Sequence, residues 1–138
     1  MVSSKVPTLN EFYDALENVR AIAVKTPIME SHWLSELTGQ PVWYKCENLQ
    51  RTGSYKVRGM LSRVAHMVEH FGEDEVRRRG LITFSAGNAA AAYAWAGRQF
   101  GIPVHVVMPR SAVPAKISAC ESYGATVHLV DGLMGEAG

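Results

Sequence analysis

The chain has 138 residues, of which 47% are hydrophobic and 20% charged, and its formal net charge is +1. Those values suit one globular domain and give no electrostatic case for binding nucleic acid or an anionic membrane. The one basic cluster, Arg77-Arg78-Arg79, follows Glu73, Asp74 and Glu75. Acids lead and bases trail, as the helix dipole prefers, so the run reads as a short solvated helix.

In chain order, Thr8-Leu9-Asn10-Glu11 is a capping-box pattern, followed by Leu9, Phe12, Leu16 and Val19 at helical spacing. Pro27 in "KTPIMES" breaks that helix. Ser31 can cap a short helix carrying Trp33, Leu34 and Leu37, which Gly39 ends. "PVWYKCE" reads as a strand and "QRTG" as a turn. From Ser54 the spacing predicts a helix to about Phe71, with Met60, Val64, Met67, Val68 and Phe71 as its apolar stripe.

"LITF" is a continuous apolar strand that ends in "SAGN", and a helix follows over about Ala89 to Phe100. "PVHVVM" is the next strand. Pro114 can open a helix that Gly124 closes, and "ATVHLV" is a further strand. Alternating strands and helices with unbroken apolar strands predict an α/β fold, a parallel sheet with helices on both faces in three layers. The alternation breaks off at "DGLMGEAG", which resembles the approach to another helix. The expectation is the front portion of a larger protein, because a sheet ending there keeps a bare edge.

The start "MVSSKVPTLNEF" lacks the apolar core of a signal peptide, and no apolar run approaches a membrane span. Cys46 and Cys120 lie far apart and form no metal-type pair. Reduced thiols and a cytoplasmic location are expected, with Cys46 buried. His66 and His70 could share a helix face, but no third ligand is evident, so no metal is expected.

Two stretches can carry chemistry. In "GSYKVRG", Gly53 permits a tight turn, Ser54 can cap the helix, and Lys56 falls in its first turn. Cations are disfavoured there. A positive helix end and burial both lower a lysine pKa, which suits an amine that must attack an aldehyde. An exposed lysine on an amphipathic helix would look the same. Arg58 reads as a structural ion pair or a solvated residue. In "TFSAGNAAAA" a strand runs through Ser85, Ala86, Gly87 and Asn88 into a helix, whose first N–H groups suit a phosphate or carboxylate. A plain strand–turn–helix connection with Asn88 as cap is the alternative.

Together "TPIMES…LSELTGQPVWYKCENLQRTGSYKVRGM", "SAGNAAAAYAWAGRQFGIPVHVVMP" and "PAKISACESYGATVHLVDG" resemble the threonine/serine dehydratases (threonine ammonia-lyases). These are pyridoxal-phosphate enzymes of the tryptophan-synthase-β fold type, and the resemblance covers about residues 26–132. The family's Ser-Phe-Lys-x-Arg-Gly motif stands here as Ser54–Gly59 with Tyr55 for Phe, and its Ser-x-Gly-Asn loop as Ser85–Asn88. The resemblance implies the N-terminal part of a two-domain enzyme. Residues 1–50 would be the N-terminal helices and first strand of the large domain, and residues 51–138 a small α/β domain.

By the same resemblance, Lys56 would hold pyridoxal 5′-phosphate as a Schiff base and remove the substrate α-proton. Asn88 would hydrogen-bond the cofactor 3′-oxygen, and Tyr55 would pack near its ring. The N–H groups of Ser85, Ala86, Gly87 and Asn88, with the Ser85 hydroxyl, would hold the substrate carboxylate. The implied reaction eliminates water from a hydroxy amino acid, giving a 2-oxo acid and ammonia. The complete enzyme would be a homo-oligomer.

Three departures bear on this. Ala89 stands where many threonine dehydratases carry histidine, which leaves serine or another hydroxy amino acid open. Ala86 stands where related serine racemases carry a serine acting on the opposite face, so efficient racemisation is not expected. Nothing in residues 89–138 reads as the family's glycine-rich phosphate loop. The chain alone is therefore expected to bind cofactor weakly and turn over little. β-Replacement, as in cysteine synthases or threonine synthesis, shares the fold and the lysine. A non-catalytic α/β module is the reading outside enzymes.

Overall fold

The computed structural model describes residues 6–131. Thr8 starts α1 (Leu9–Arg20) with both halves of the capping box, the Glu11 N–H donating to Thr8 Oγ1 and the Thr8 N–H to Glu11 Oε2. Only the end of the predicted stripe is buried. Val19 joins the core, whereas Leu9 is 66% and Phe12 61% exposed.

Strand β1 (Ile28–Glu30) was not legible in the sequence, where Pro27 reads only as a helix breaker. It pairs antiparallel with β2 (Trp43–Lys45), Met29 opposite Tyr44. Strand β2 is shorter than "PVWYKCE", because the backbone turns at Cys46 into a 3₁₀ turn over Glu47–Leu49. Between the strands, Ser31 caps α2 (His32–Thr38) and Gly39 ends it at φ 68°.

Helix α3 (Lys56–Phe71) and helix α4 (Glu73–Arg79) lead into β3 (Leu81–Phe84), α5 (Asn88–Gln99), β4 (Val104–Pro109), α6 (Pro114–Ser122) and β5 (Thr126–Val130). The buried face of α3 is Val57, Leu61 and Val64. The predicted stripe is offset from it by part of a turn. Met60, Met67 and Val68 are half-buried beside that face, and Phe71 is exposed. Two i, i+3/i+4 ladders share Val64, and the one against α5 is the core.

Strands β3, β4 and β5 form a parallel sheet in that order, with Leu81 beside Val104 and His105 beside Thr126. This is the α/β alternation expected from the sequence. Both crossovers step the same way across the sheet, so right-handed connections place α5 and α6 on one face. Leu81, Val104, Val106 and Met108 are buried under them, while Ile82 and Phe84 on the opposite face are exposed, so among the described residues the crossover helices cover one face of the sheet rather than the two expected. The helix approach read at "DGLMGEAG" lies, from residue 132 on, outside the described residues.

Helix α5 packs against α3, α6 and the sheet, and Ala90, Ala91, Ala92, Ala94, Trp95, Ala96 and Gly97 are all buried. Small side chains let the backbones approach. A Cβ on Gly97 would stand 2.2 Å from Val104 Cγ2 and 2.9 Å from the Ile102 carbonyl oxygen. Gly97→Ala should therefore destabilise the fold by about 1–3 kcal/mol. At Gly59, in α3, an added Cβ meets nothing within 4 Å. Gly59→Ala should stabilise by about 0.5–1 kcal/mol through helix propensity. Chemical denaturation of the two variants checks the contrast.

Candidate functional site

Lys56 is the first residue of α3 and is half-buried. Its Nζ lies 4.8 Å from the ring centroid of Tyr55, which is exposed. Among the described residues the amine makes no hydrogen bond or ion pair.

Ser54 does not cap the helix as expected. The cap position is Tyr55, already in the helical region at φ −62°, ψ −16°. The helix thus begins beyond the reach of the Ser54 side chain, which turns inward. The hydroxyls of Thr52 and Ser54 are buried, and neither has a hydrogen-bond partner among the described residues. An unsatisfied buried hydroxyl carries a desolvation cost of about 1–3 kcal/mol, so two of them in the turn that leads to Lys56 favour a polar partner or water there.

The first turn of α3 is fixed by Arg58. Its Nε donates to Glu47 Oε2 at 2.9 Å and its Nη2 to Glu47 Oε1 at 2.8 Å, a bidentate pair. Nη2 also donates to the Val24 carbonyl at 3.0 Å. Thr26 Oγ1 donates to the same carboxylate at 2.5 Å, and Lys45 Nζ donates to the Thr26 carbonyl. Gln50, buried, accepts from the Val24 N–H at 2.8 Å and donates to its carbonyl at 2.9 Å. The Arg58 hydrogen bonds hold the Glu47 carboxyl down at about 2, against burial, which pushes it up. Arg58 is thus the structural pair the sequence suggested, and its partner lies in the 3₁₀ turn.

The Ser85–Asn88 loop leaves the end of β3. The Ser85 N–H continues the sheet, donating to the Val107 carbonyl at 3.2 Å. The Ser85 hydroxyl accepts the Gly87 N–H at 3.2 Å. Two of the N–H groups expected to face an anion are therefore engaged within the protein. The Ala86 and Asn88 N–H groups, at the start of α5, are left to meet one. Asn88 is itself the first residue of α5, one earlier than expected, with Gly87 at the cap position.

The Asn88 side chain does not cap its own helix. Its Oδ1 accepts from Lys116 Nζ at 2.7 Å. Lys116 was not singled out from the sequence. The signal was available, since it is a second lysine in the first turn of a helix, here α6. The structure thus joins the Ser85–Asn88 loop to α6 directly. Lys56 is related to that loop through the packing of α3 on α5, with no hydrogen bond between them among the described residues.

The profile of the family described as "Pyridoxal-phosphate dependent enzyme" matches residues 19–138. An L-threonine ammonia-lyase of Thermotoga maritima is 40% identical over 130 residues, covering 94% of this chain and 31% of that protein. An L-threo-3-hydroxyaspartate ammonia-lyase of a Pseudomonas species is 39% identical, covering 89% of this chain and 38% of that protein. Among solved structures, a pyridoxal 5′-phosphate-dependent aspartate racemase superposes with a TM-score of 0.83 at 31% identity, covering 91% of this chain and 40% of that one. The chain spans about a third of the length of the curated relatives it matches. With the lysine-bearing helix start, the Ser-x-Gly-Asn loop and the parallel sheet in the same chain, this protein belongs to the pyridoxal-phosphate dependent enzyme family.

Proposed function

We propose that this chain supplies the cofactor-bearing lysine and the carboxylate-binding loop of an enzyme that removes water from a hydroxy amino acid, threonine or serine, to give a 2-oxo acid and ammonia. The observation that carries this is Lys56, an uncommitted, half-buried amine at the start of a helix whose first turn Arg58 and Glu47 hold in place. The ammonia-lyase relatives support the reaction class.

The residues present fit the aldehyde, the phenolic oxygen and the ring of the cofactor. Lys56 offers an amine for an aldehyde, Asn88 a free amide NH₂ for a phenolic oxygen, and Tyr55 an aromatic face. The unsatisfied Thr52 and Ser54 hydroxyls precede the lysine by four and two residues in the chain. Pyridoxal phosphate, when bound, supplies an electron sink for negative charge at the substrate Cα. Lys56 Nζ would hold the cofactor through its aldehyde, and the same amine would serve as the base for the proton at the substrate Cα. The Ala86 and Asn88 N–H groups orient the substrate carboxylate, with the Ser85 hydroxyl at the rim of that loop. Ala86 offers no hydroxyl to return a proton to the opposite face, which favours elimination over racemisation.

Ala89 leaves room for a second reading, elimination from L-threo-3-hydroxyaspartate, whose β-hydroxyl would leave in the same way. A substrate panel separates these on the chain and on any longer polypeptide that carries it. 2-Oxo acid from L-threonine or L-serine is the expected result. Oxaloacetate from hydroxyaspartate alone would move the substrate. Conversion of L- to D-aspartate without ammonia release would overturn elimination.

A further inference from the structure

Resting on that reading, in which Asn88 meets the cofactor 3′-oxygen, we propose that Lys116 is a positioning residue that fixes which end of the Asn88 amide faces the ligand. An asparagine side chain has an acceptor end and a donor end, and rotation by half a turn exchanges them. An ammonium can only donate. The 2.7 Å contact from Lys116 Nζ therefore holds the carbonyl end, Oδ1, on the α6 side. The NH₂ end is left as the donor that an ionised oxygen needs.

Without Lys116, nothing among the described residues holds Oδ1 on the α6 side, and it is free to turn toward an open N–H in the first turn of its own helix. The amide would then present a mixture of ends. The ammonium has a second effect. It polarises the amide it holds, which strengthens the N–H donors at the other end. It also adds positive charge beside a loop that receives anions.

The position of Lys116 supports this role. It is the third residue of α6, where the helix dipole disfavours a cation, and it is half-buried. Its charge is placed by its contact with Asn88 across the α5–α6 packing rather than by its own helix.

The test uses Lys116→Met, which keeps the aliphatic stem without the donor, and Lys116→Arg, which keeps a donor. In the cofactor-free chain, the Asn88 side-chain NH₂ resonances should shift or broaden in Lys116→Met, while the backbone amides along the rest of α5 stay in place. With pyridoxal 5′-phosphate added, Lys116→Met should bind about tenfold more weakly, from loss of a charge-assisted contact. The visible spectrum of its bound cofactor should shift toward the form protonated at the 3′-oxygen. Lys116→Arg should restore most of both. Should Lys116→Met fold poorly by circular dichroism, Lys116→Gln replaces it in each measurement.

Unchanged Asn88 side-chain resonances in the cofactor-free variant would overturn the proposal. So would unchanged cofactor affinity and spectrum. The first measurement needs no cofactor, so its result stands apart from the functional reading. That reading fails separately if Asn88→Ala binds cofactor as the unaltered chain does.

Discussion

In a polypeptide that carries this chain and turns over, Lys56→Ala will lower 2-oxo acid release by about 10³-fold or more, because on the proposed reading it removes both the cofactor-bearing amine and the base. Its fold should be nearly untouched. Among the described residues the amine makes no hydrogen bond or ion pair, and its cation–π approach to the exposed Tyr55 ring at 4.8 Å contributes about 0.5–1 kcal/mol. Activity and stability therefore separate at this position. Lys56→Arg sharpens the point, since it keeps the charge and the ring contact but cannot condense with an aldehyde, and it should be as inactive as the alanine variant. Steady-state assays of 2-oxo acid, with denaturation curves on the same samples, check both. Activity within tenfold of an unaltered polypeptide that turns over would remove Lys56 from the chemistry.

The second large effect is on stability. Glu47→Ala should cost about 3 kcal/mol, because it strands a half-buried guanidinium that now makes two hydrogen bonds to one carboxylate. It also removes the acceptor of Thr26 Oγ1, a buried residue. The segment around Val24, the 3₁₀ turn and the first turn of α3 would come apart together, and the site would loosen with them. Glu47→Gln keeps a polar acceptor of the same size but loses the charge, and should cost less.

The pH dependence has a definite sign. The Glu47 carboxyl is held at about 2 in the fold, below its ordinary 4.5, first by the Arg58 hydrogen bonds. Its contribution is complete above about pH 4.5 and is lost as pH falls toward about 2. At pH 7 the unaltered chain should exceed Glu47→Gln by about 2–3 kcal/mol, and the gap should shrink as pH is lowered to 3 and below. Glu75 is also held at about 2, by Arg78 and then Arg79, but it is common to both proteins and cancels in their difference. A gap that does not change with pH would show that the charge of Glu47 is not what holds the clamp.

What could be read from the sequence was local or periodic. The Thr8 capping box, the Ser31 cap, the Gly39 stop and the strand–helix alternation from "LITF" to "ATVHLV" each follow from neighbouring residues, and each is present. Strand β1 was not legible, because three residues carry no period of their own and Ile28–Glu30 are strand only by pairing with Trp43–Lys45. Ser54 had the chemistry of a cap, but Tyr55 takes the helical backbone angles first.

The site divides in the same way. The lysine and the Ser85–Asn88 loop stand out as short motifs. The partners that set their geometry come from elsewhere in the chain. Glu47 reaches Arg58 from another turn, and Lys116 reaches Asn88 from another helix. Nor does sequence spacing reveal that the Ser85 hydroxyl folds back on the Gly87 N–H, which leaves fewer donors for a carboxylate than the motif suggests.

The most direct test of Lys56 as the cofactor-bearing residue is chemical. The protein is incubated with pyridoxal 5′-phosphate, reduced with borohydride, digested and mapped by mass spectrometry. The expected result is a pyridoxyl mass on the peptide containing Lys56, absent from Lys56→Ala and from chain denatured before labelling. A label spread over Lys25, Lys45, Lys56 and Lys116 at the level seen in the denatured chain would contradict it.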